Sequence, residues 1–266
     1  MSSIGDTLGM RPPDPGIIDS HIHCGVQNVS WLWEEVKPLV LAAGIRGVGL
    51  IPPVEDIYDR YDPLFRDSPG WQECRRRAHR YLLGLKDQEI TIFPYFFVWN
   101  DFAWEDLGPD FVAVKWHRHG NEPEYHYHDP RCREFLKVVQ DRGLPILLEE
   151  TFDNTLFFLE KLLPAGVPLI IPHLGGLNGG YRALDRAGVW GHPQVYADSA
   201  LAGPSEMEDY LCRFGYRRLL FASDYPFGSP AYELEKVRSL KLPPEQAQAV
   251  LGGNFLRLCR LFEKED

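Results

Sequence analysis

Two histidines separated by one residue, His21 and His23, close an apolar run that begins near Ile17. If the run is a strand, residues two apart share a face, so both imidazoles can reach one point, which is an arrangement that binds metal. Cys24 then faces the other way and makes a poor ligand. Further apolar runs end in side chains that ligate metals or move protons: Lys115 with His117 just beyond it, Glu149 and Glu150, His173, and Asp224. Imidazole and carboxylate donors suit Zn2+ best, with Mn2+, Fe2+ or Ni2+ as alternatives. An open position on such an ion holds a water whose pKa falls to about 7 on catalytic zinc.

These residues need a frame that brings strand ends together. Short apolar runs are expected as strands at 16–23, 45–51, 90–99, 111–116, 145–150, 168–173, 194–199 and 218–223. Helical spacing separates them at 31–43, 71–86, 130–142, 154–163, 180–187 and 205–214, and closes the chain at 230–239 and 244–262. A Pro-rich, charged loop is expected at 52–70. Asp129 and Gly143 bracket 130–142 as a cap and a stop. Runs that are apolar on both faces suit buried parallel strands. Eight βα units fit one α/β fold, a (β/α)8 TIM barrel, whose active sites lie at the C-terminal ends of the strands. An open doubly wound sheet is the alternative, but no GxGxxG turn follows the first strand. The expected organisation is a mobile arm at 1–15 and a barrel domain at 16–266.

Composition narrows the partners. Of 266 residues, 28 are Lys or Arg and 38 Asp or Glu, giving a net charge of −10, which argues against nucleic acid or an anionic membrane. No stretch reaches the roughly 18 apolar residues of a membrane span. Five widely spaced cysteines without a CxxC pair read as reduced thiols in a cytoplasmic enzyme.

Ile18–His23, Leu144–Glu149, Pro172–Gly176 and Leu220–Pro226 together resemble the amidohydrolase superfamily. They are most similar to the amidohydrolase-related branch that includes aminocarboxymuconate semialdehyde decarboxylase. Gly253–Leu258 resembles that branch's C-terminal helix motif, so the likeness runs from about 16 to 262. The resemblance implies a divalent metal held by His21, His23 and Asp224, with Asp224 also shuttling a proton. His173 matches a histidine that is a catalytic acid/base in mononuclear members and a ligand of the second metal in binuclear ones. Glu149 stands where the family usually has His, and is expected as a carboxylate ligand, with Glu150 as the alternative. Lys115 matches a lysine that is carboxylated and metal-bridging in binuclear relatives; here it is expected unmodified, fixing a substrate carboxylate.

The leading expectation is hydrolysis of a small ester, lactone or amide through a metal-activated water. The rivals are non-oxidative decarboxylation of an aromatic or muconate-type acid, and a non-catalytic binding barrel whose site has decayed at Glu149. Trp31, Trp99, Trp116, His117 and Arg118 are expected around the substrate, with Trp33 and Trp104 nearby and Arg46 as a second anion anchor. Asp19 either orients a ligand or lies deeper in the barrel. Tyr125-His126-Tyr127-His128 is expected to line the pocket or face solvent, and Arg75-Arg76-Arg77 to be a solvated helix face. The expected partner is a small molecule, and the resemblance also allows a homodimer.

Overall fold

The computed structural model describes residues 16–25 and 30–260; the arm expected at 1–15 lies outside them. Eight parallel strands form one sheet in sequence order: β1 (Ile17–His23), β2 (Ile45–Ile51), β3 (Thr91–Phe97), β4 (Ala113–His117), β5 (Ile146–Glu149), β6 (Leu169–Ile171), β7 (Val195–Asp198) and β8 (Leu219–Leu220). The segment after β8 closes the sheet onto β1. Ser20 N donates to Phe221 O at 3.0 Å, Asp224 N to His21 O at 2.8 Å and His23 N to Tyr225 O at 2.9 Å. The expected barrel is therefore present, with the ends of β1 and β8 side by side.

Helices α1 (Trp33–Ala42), α2 (Pro69–Gly84), α3 (Pro130–Arg142), α4 (Phe152–Phe157), α5 (Tyr181–Arg186), α6 (Pro204–Phe214), α7 (Pro230–Ser239), α8 (Pro244–Gln248) and α9 (Asn254–Leu258) alternate with or follow the strands. Helix α3 starts and stops as expected: Asp129 caps it by accepting from Arg131 N, and Gly143 ends it at φ 63°, a left-handed conformation that glycine adopts without a Cβ penalty. The expected 244–262 helix is instead broken into α8 and α9 by a wide turn at Ala249–Gly253. At Gly252 a Cβ would lie 2.6 Å from Gly16 O, so the backbone runs close against the start of β1. β6 is shorter than expected because Pro172 follows it and His173 turns left-handed.

Strand alternation sorts the side chains. On β4, Lys115 points inward to His21 and Glu149, whereas Trp116 points outward between Phe135 of α3 and Phe158. Trp116 is thus core between barrel and helices, not pocket wall. Arg46 is also corrected: it lies at the start of β2, the end of the barrel away from the C-terminal rim. Arg75 is not solvated either. It is 3% exposed and donates to Asp67, Asp101 and Ile57 O, tying α2 to the loops after β2 and β3.

Candidate metal centre

His21 and His23 face inward from the end of β1, and their Nε2 atoms each lie 3.3 Å from Asp224 Oδ1. Four ligands with metal bonds of about 2.0–2.1 Å stand about 3.3–3.4 Å apart at the corners of a tetrahedron, so these distances fit a shared ion. The ligand orientation is built in. Asp198, at the end of β7, sits 3.1 Å from His21 Nδ1 through Oδ2, while its Oδ1 accepts from His173 N at 2.8 Å and Ala200 N at 3.1 Å. A carboxylate on one ring nitrogen holds the proton there and leaves the other nitrogen's lone pair free for metal. Burial and the Lys115 charge push the His21 pKa well down, which keeps its imidazole neutral.

His173, and not His23, joins His21 and Asp224 in one compact group of ligand atoms. Its ligand atom, one from His21 and one from Asp224 lie within 4.8 Å of one another. Its Nδ1 donates to Ala200 O at 3.2 Å, and its Nε2 is buried without a hydrogen-bond partner among the described residues. That Nε2 lies between two carboxylates, 3.9 Å from Asp224 Oδ2 and 3.6 Å from Glu149 Oε2. Burial opposes charge on His173, but Glu149, Asp198 and Asp224 outweigh it and raise its pKa to about 9. Burial likewise opposes charge on Asp224, yet His21, His23 and His173 hold its carboxyl below the usual range. Both His173 (φ 58°) and Asp224 (φ 54°) sit in the left-handed region, at about 1–2 kcal/mol each. Such strain clusters at functional sites.

Glu149 has other neighbours than the first-strand histidines. Its Oε2 is 3.0 Å from Lys115 Nζ and 3.1 Å from His117 Nδ1, and its Oε1 is 2.8 Å from His119 Nε2. Lys115 Nζ also lies 3.4 Å from His21 Nε2 and so stands between the two regions. Burial opposes ionisation of Glu149, but His117, Lys115 and His119 drive its pKa well down. Glu150 points elsewhere: Tyr127 OH and Thr151 N donate to it at 2.8 and 2.6 Å.

Other expected residues scatter. Trp99 is buried and stacks on Tyr58 at 3.9 Å. Trp31 is 47% exposed, Trp104 is partly exposed, and Trp33 is buried with its indole N–H on Asp87. Arg118 is no free anion anchor, because its guanidinium is folded into its own loop on Gly120 O and Glu122 O. In 125–128 the tyrosines are buried and the histidines exposed, beside a groove of about 600 Å³ that includes Phe157 and Asn154. The groove is lined by none of the residues of the metal centre. Asp19 lies deep, accepting from Ser223 N at 2.9 Å and His21 N at 3.3 Å, and so ties β1 to the segment carrying Asp224. The structure adds Asp198, His119 and Glu122 to the residues expected from the sequence. Asp198 ends a strand as Asp224 follows one, and His117-x-His119 repeats the spacing of His21-x-His23, so both signals were present.

The family model described as Amidohydrolase matches residues 105–261, more than half of the chain. The chain belongs to the amidohydrolase family. No curated protein matches it. Among solved structures it is similar to a candidate 2-pyrone-4,6-dicarboxylic acid hydrolase from Pseudomonas putida, at 16% identity and TM-score 0.71 over 94% of this chain and 99% of that one. It is also similar to 2,6-dihydroxybenzoate decarboxylase from Rhizobium, at 15% identity and TM-score 0.68 over 92% and 99%. A third is dihydroxybenzoic acid decarboxylase from Polaromonas sp. JS666 with bound manganese and the inhibitor 2-nitroresorcinol, at 14% identity and TM-score 0.67 over 94% and 98%. These likenesses agree with the barrel fold. Among the described residues no helix is long and apolar enough to cross a membrane.

Proposed function

We propose that this amidohydrolase is a metal-dependent hydrolase of a small ester, lactone or amide, with Zn2+ the favoured ion. The observation that carries the reading is the placement of His21 Nε2 and His23 Nε2 at 3.3 Å from one Asp224 oxygen, with Asp198 fixing the first imidazole from behind. The ion these three residues would hold supplies Lewis acidity to a carbonyl and lowers the pKa of a bound water. Asp224, anionic at neutral pH, takes the proton of the attacking water through its second oxygen. His173, with Nε2 3.9 Å from that oxygen, gives a proton to the leaving group. Lys115 balances Glu149 and presents positive charge beside His21, so a substrate anion is drawn to this side of the centre. Five free cysteines support a cytoplasmic enzyme.

Decarboxylation of an aromatic acid is the second reading. It is supported by the Lys115 ammonium as a partner for a substrate carboxylate and by the decarboxylases of similar fold. Protein purified without chelator should carry at least about one equivalent of a divalent transition metal; under about a tenth refutes the metal-dependent reading. Acid release from a lactone, ester and amide panel, against CO2 release from hydroxybenzoates, then separates the two chemistries.

A further inference from the structure

A second His-x-His pair lies across the rim from the first and repeats its construction. His21 is held between two carboxylates, Asp198 on Nδ1 at 3.1 Å and Asp224 on Nε2 at 3.3 Å. His119 is held in the same way, by Glu122 on Nδ1 at 3.3 Å and Glu149 on Nε2 at 2.8 Å. In the first set His23 shares Asp224; in the second His117 shares Glu149, with Nδ1 at 3.1 Å from Oε2. His117 and His119 also fall, with Glu122, into a group whose ligand atoms lie within 4.8 Å of one another. Glu122 is itself fixed, accepting from Tyr58 OH at 2.7 Å, Arg60 Nε at 2.8 Å and His119 N at 2.9 Å. Glu122 thus stands behind His119, but it shares Nδ1 with Arg60 Nη2 at 3.2 Å, so unlike His21 the imidazole points its Nε2 proton at Glu149.

We propose that His117, His119 and Glu149 form a second divalent-metal site, with His173 standing between it and the His21–His23–Asp224 position. An independent observation points to a ligand there. His117 is 4% exposed, yet neither ring nitrogen makes an aligned hydrogen bond among the described residues. Its 3.1 Å contact with Glu149 is not directed along an N–H bond. A buried polar group without an aligned partner is destabilising, and an ion between His117 and Glu149 removes that penalty. Glu149, expected as the fourth ligand of the first ion, belongs on this account to the second. Two imidazoles and a carboxylate suit Zn2+ or Mn2+. The side chain of His119 is 33% exposed, which gives an ion access. On binding, the His119 Nε2 proton leaves to solvent through that opening and the ion takes its place beside Glu149, while Lys115 keeps its own proton.

The proposal extends the one-ion reading above, and the test separates the two. Full-length protein is stripped with chelator, saturated with Zn2+, counted by mass spectrometry of the metal, and crystallised for anomalous maps at the zinc edge. The expected result is two ions per chain, one at each His-x-His pair. His119→Asn and, separately, His117→Gln should each fall to one ion, at His21–His23. His23→Asn should keep the ion at His117–His119. A wild-type chain that saturates at one ion, with anomalous density only at His21–His23, overturns the second site and leaves the proposed function standing. Two ions retained in His119→Asn also overturn it. No bound ion at all removes both. The wild-type map decides the question even if a variant does not fold.

Discussion

Asp198→Asn is the sharpest test of how the centre is oriented. The substitution is nearly isosteric and the position is fully buried. The single amide oxygen would stay where Oδ1 is, accepting from His173 N and Ala200 N. The amide nitrogen would then take the place of Oδ2, 3.1 Å from His21 Nδ1. An amide N–H is a donor, so His21 Nδ1 must become the acceptor and the ring proton must move to Nε2, the atom that faces Asp224. That proton blocks ligation. The opposite amide rotamer keeps the tautomer but sets donors against two backbone N–H groups, losing two hydrogen bonds of about 1 kcal/mol each. Loss of an orienting carboxylate behind a metal-bound imidazole costs about 10–100-fold in affinity, or about 1.4–2.8 kcal/mol. Competition with a chromophoric chelator measures the change directly, and kcat/KM on any substrate found by the panels should fall with it. An Asp198→Asn protein that binds metal within about twofold of wild type would refute the assignment of His21 Nε2 as a ligand atom.

Three further outcomes are expected. Burial and the Arg75 charge lower the His79 pKa to about 3, and its Nε2 accepts from Phe97 N at 2.9 Å. The fold holds it neutral while the unfolded chain protonates near 6.5, so its contribution is complete above that pH. As pH falls from about 6.5 toward 3, stability should drop by about 1.4 kcal/mol per unit from this residue; urea midpoints at several pH values, wild type minus His79→Gln, should show that slope, and a flat difference counts against it. Arg75→Met leaves Asp67, Asp101 and Ile57 O without their donor and should destabilise by about 3 kcal/mol in denaturant titration, the low end for a broken buried pair because both acids are partly exposed. In Gly228→Ala the new Cβ would overlap Ser223 O and disturb the turn in which Phe227 N and Gly228 N donate to Asp224 O, so metal affinity, read by chelator competition, should fall by about tenfold or more, and an unchanged affinity counts against it.

The local chemistry was legible because it follows from covalent geometry. Period-two alternation put His21 and His23 on one face, runs of apolar residues marked the strands, and Asp129 and Gly143 bounded α3 at its true ends. The misreadings concern facing and pairing. Trp116 lies one residue from Lys115 and therefore on the opposite face of β4, against the helices and not in the pocket where its place at a strand end puts it by sequence. The run 75–77 gave no sign that Asp67 and Asp101 would close on Arg75 from two separate loops.

By itself the sequence determined the number and order of the βα units and which side chains stand at strand ends, since both depend on neighbours within a few residues. Only the tertiary structure decided which of those side chains meet. Barrel closure sets β1 beside the segment after β8 and gives Asp224 to His21 and His23. It also sets β7 behind β1's histidine, so that Asp198 fixes the tautomer. Parallel pairing of β4 with β5, which sets His117 opposite Glu149, gives Glu149 to Lys115, His117 and His119, because contact between residues about thirty positions apart is a property of the folded barrel.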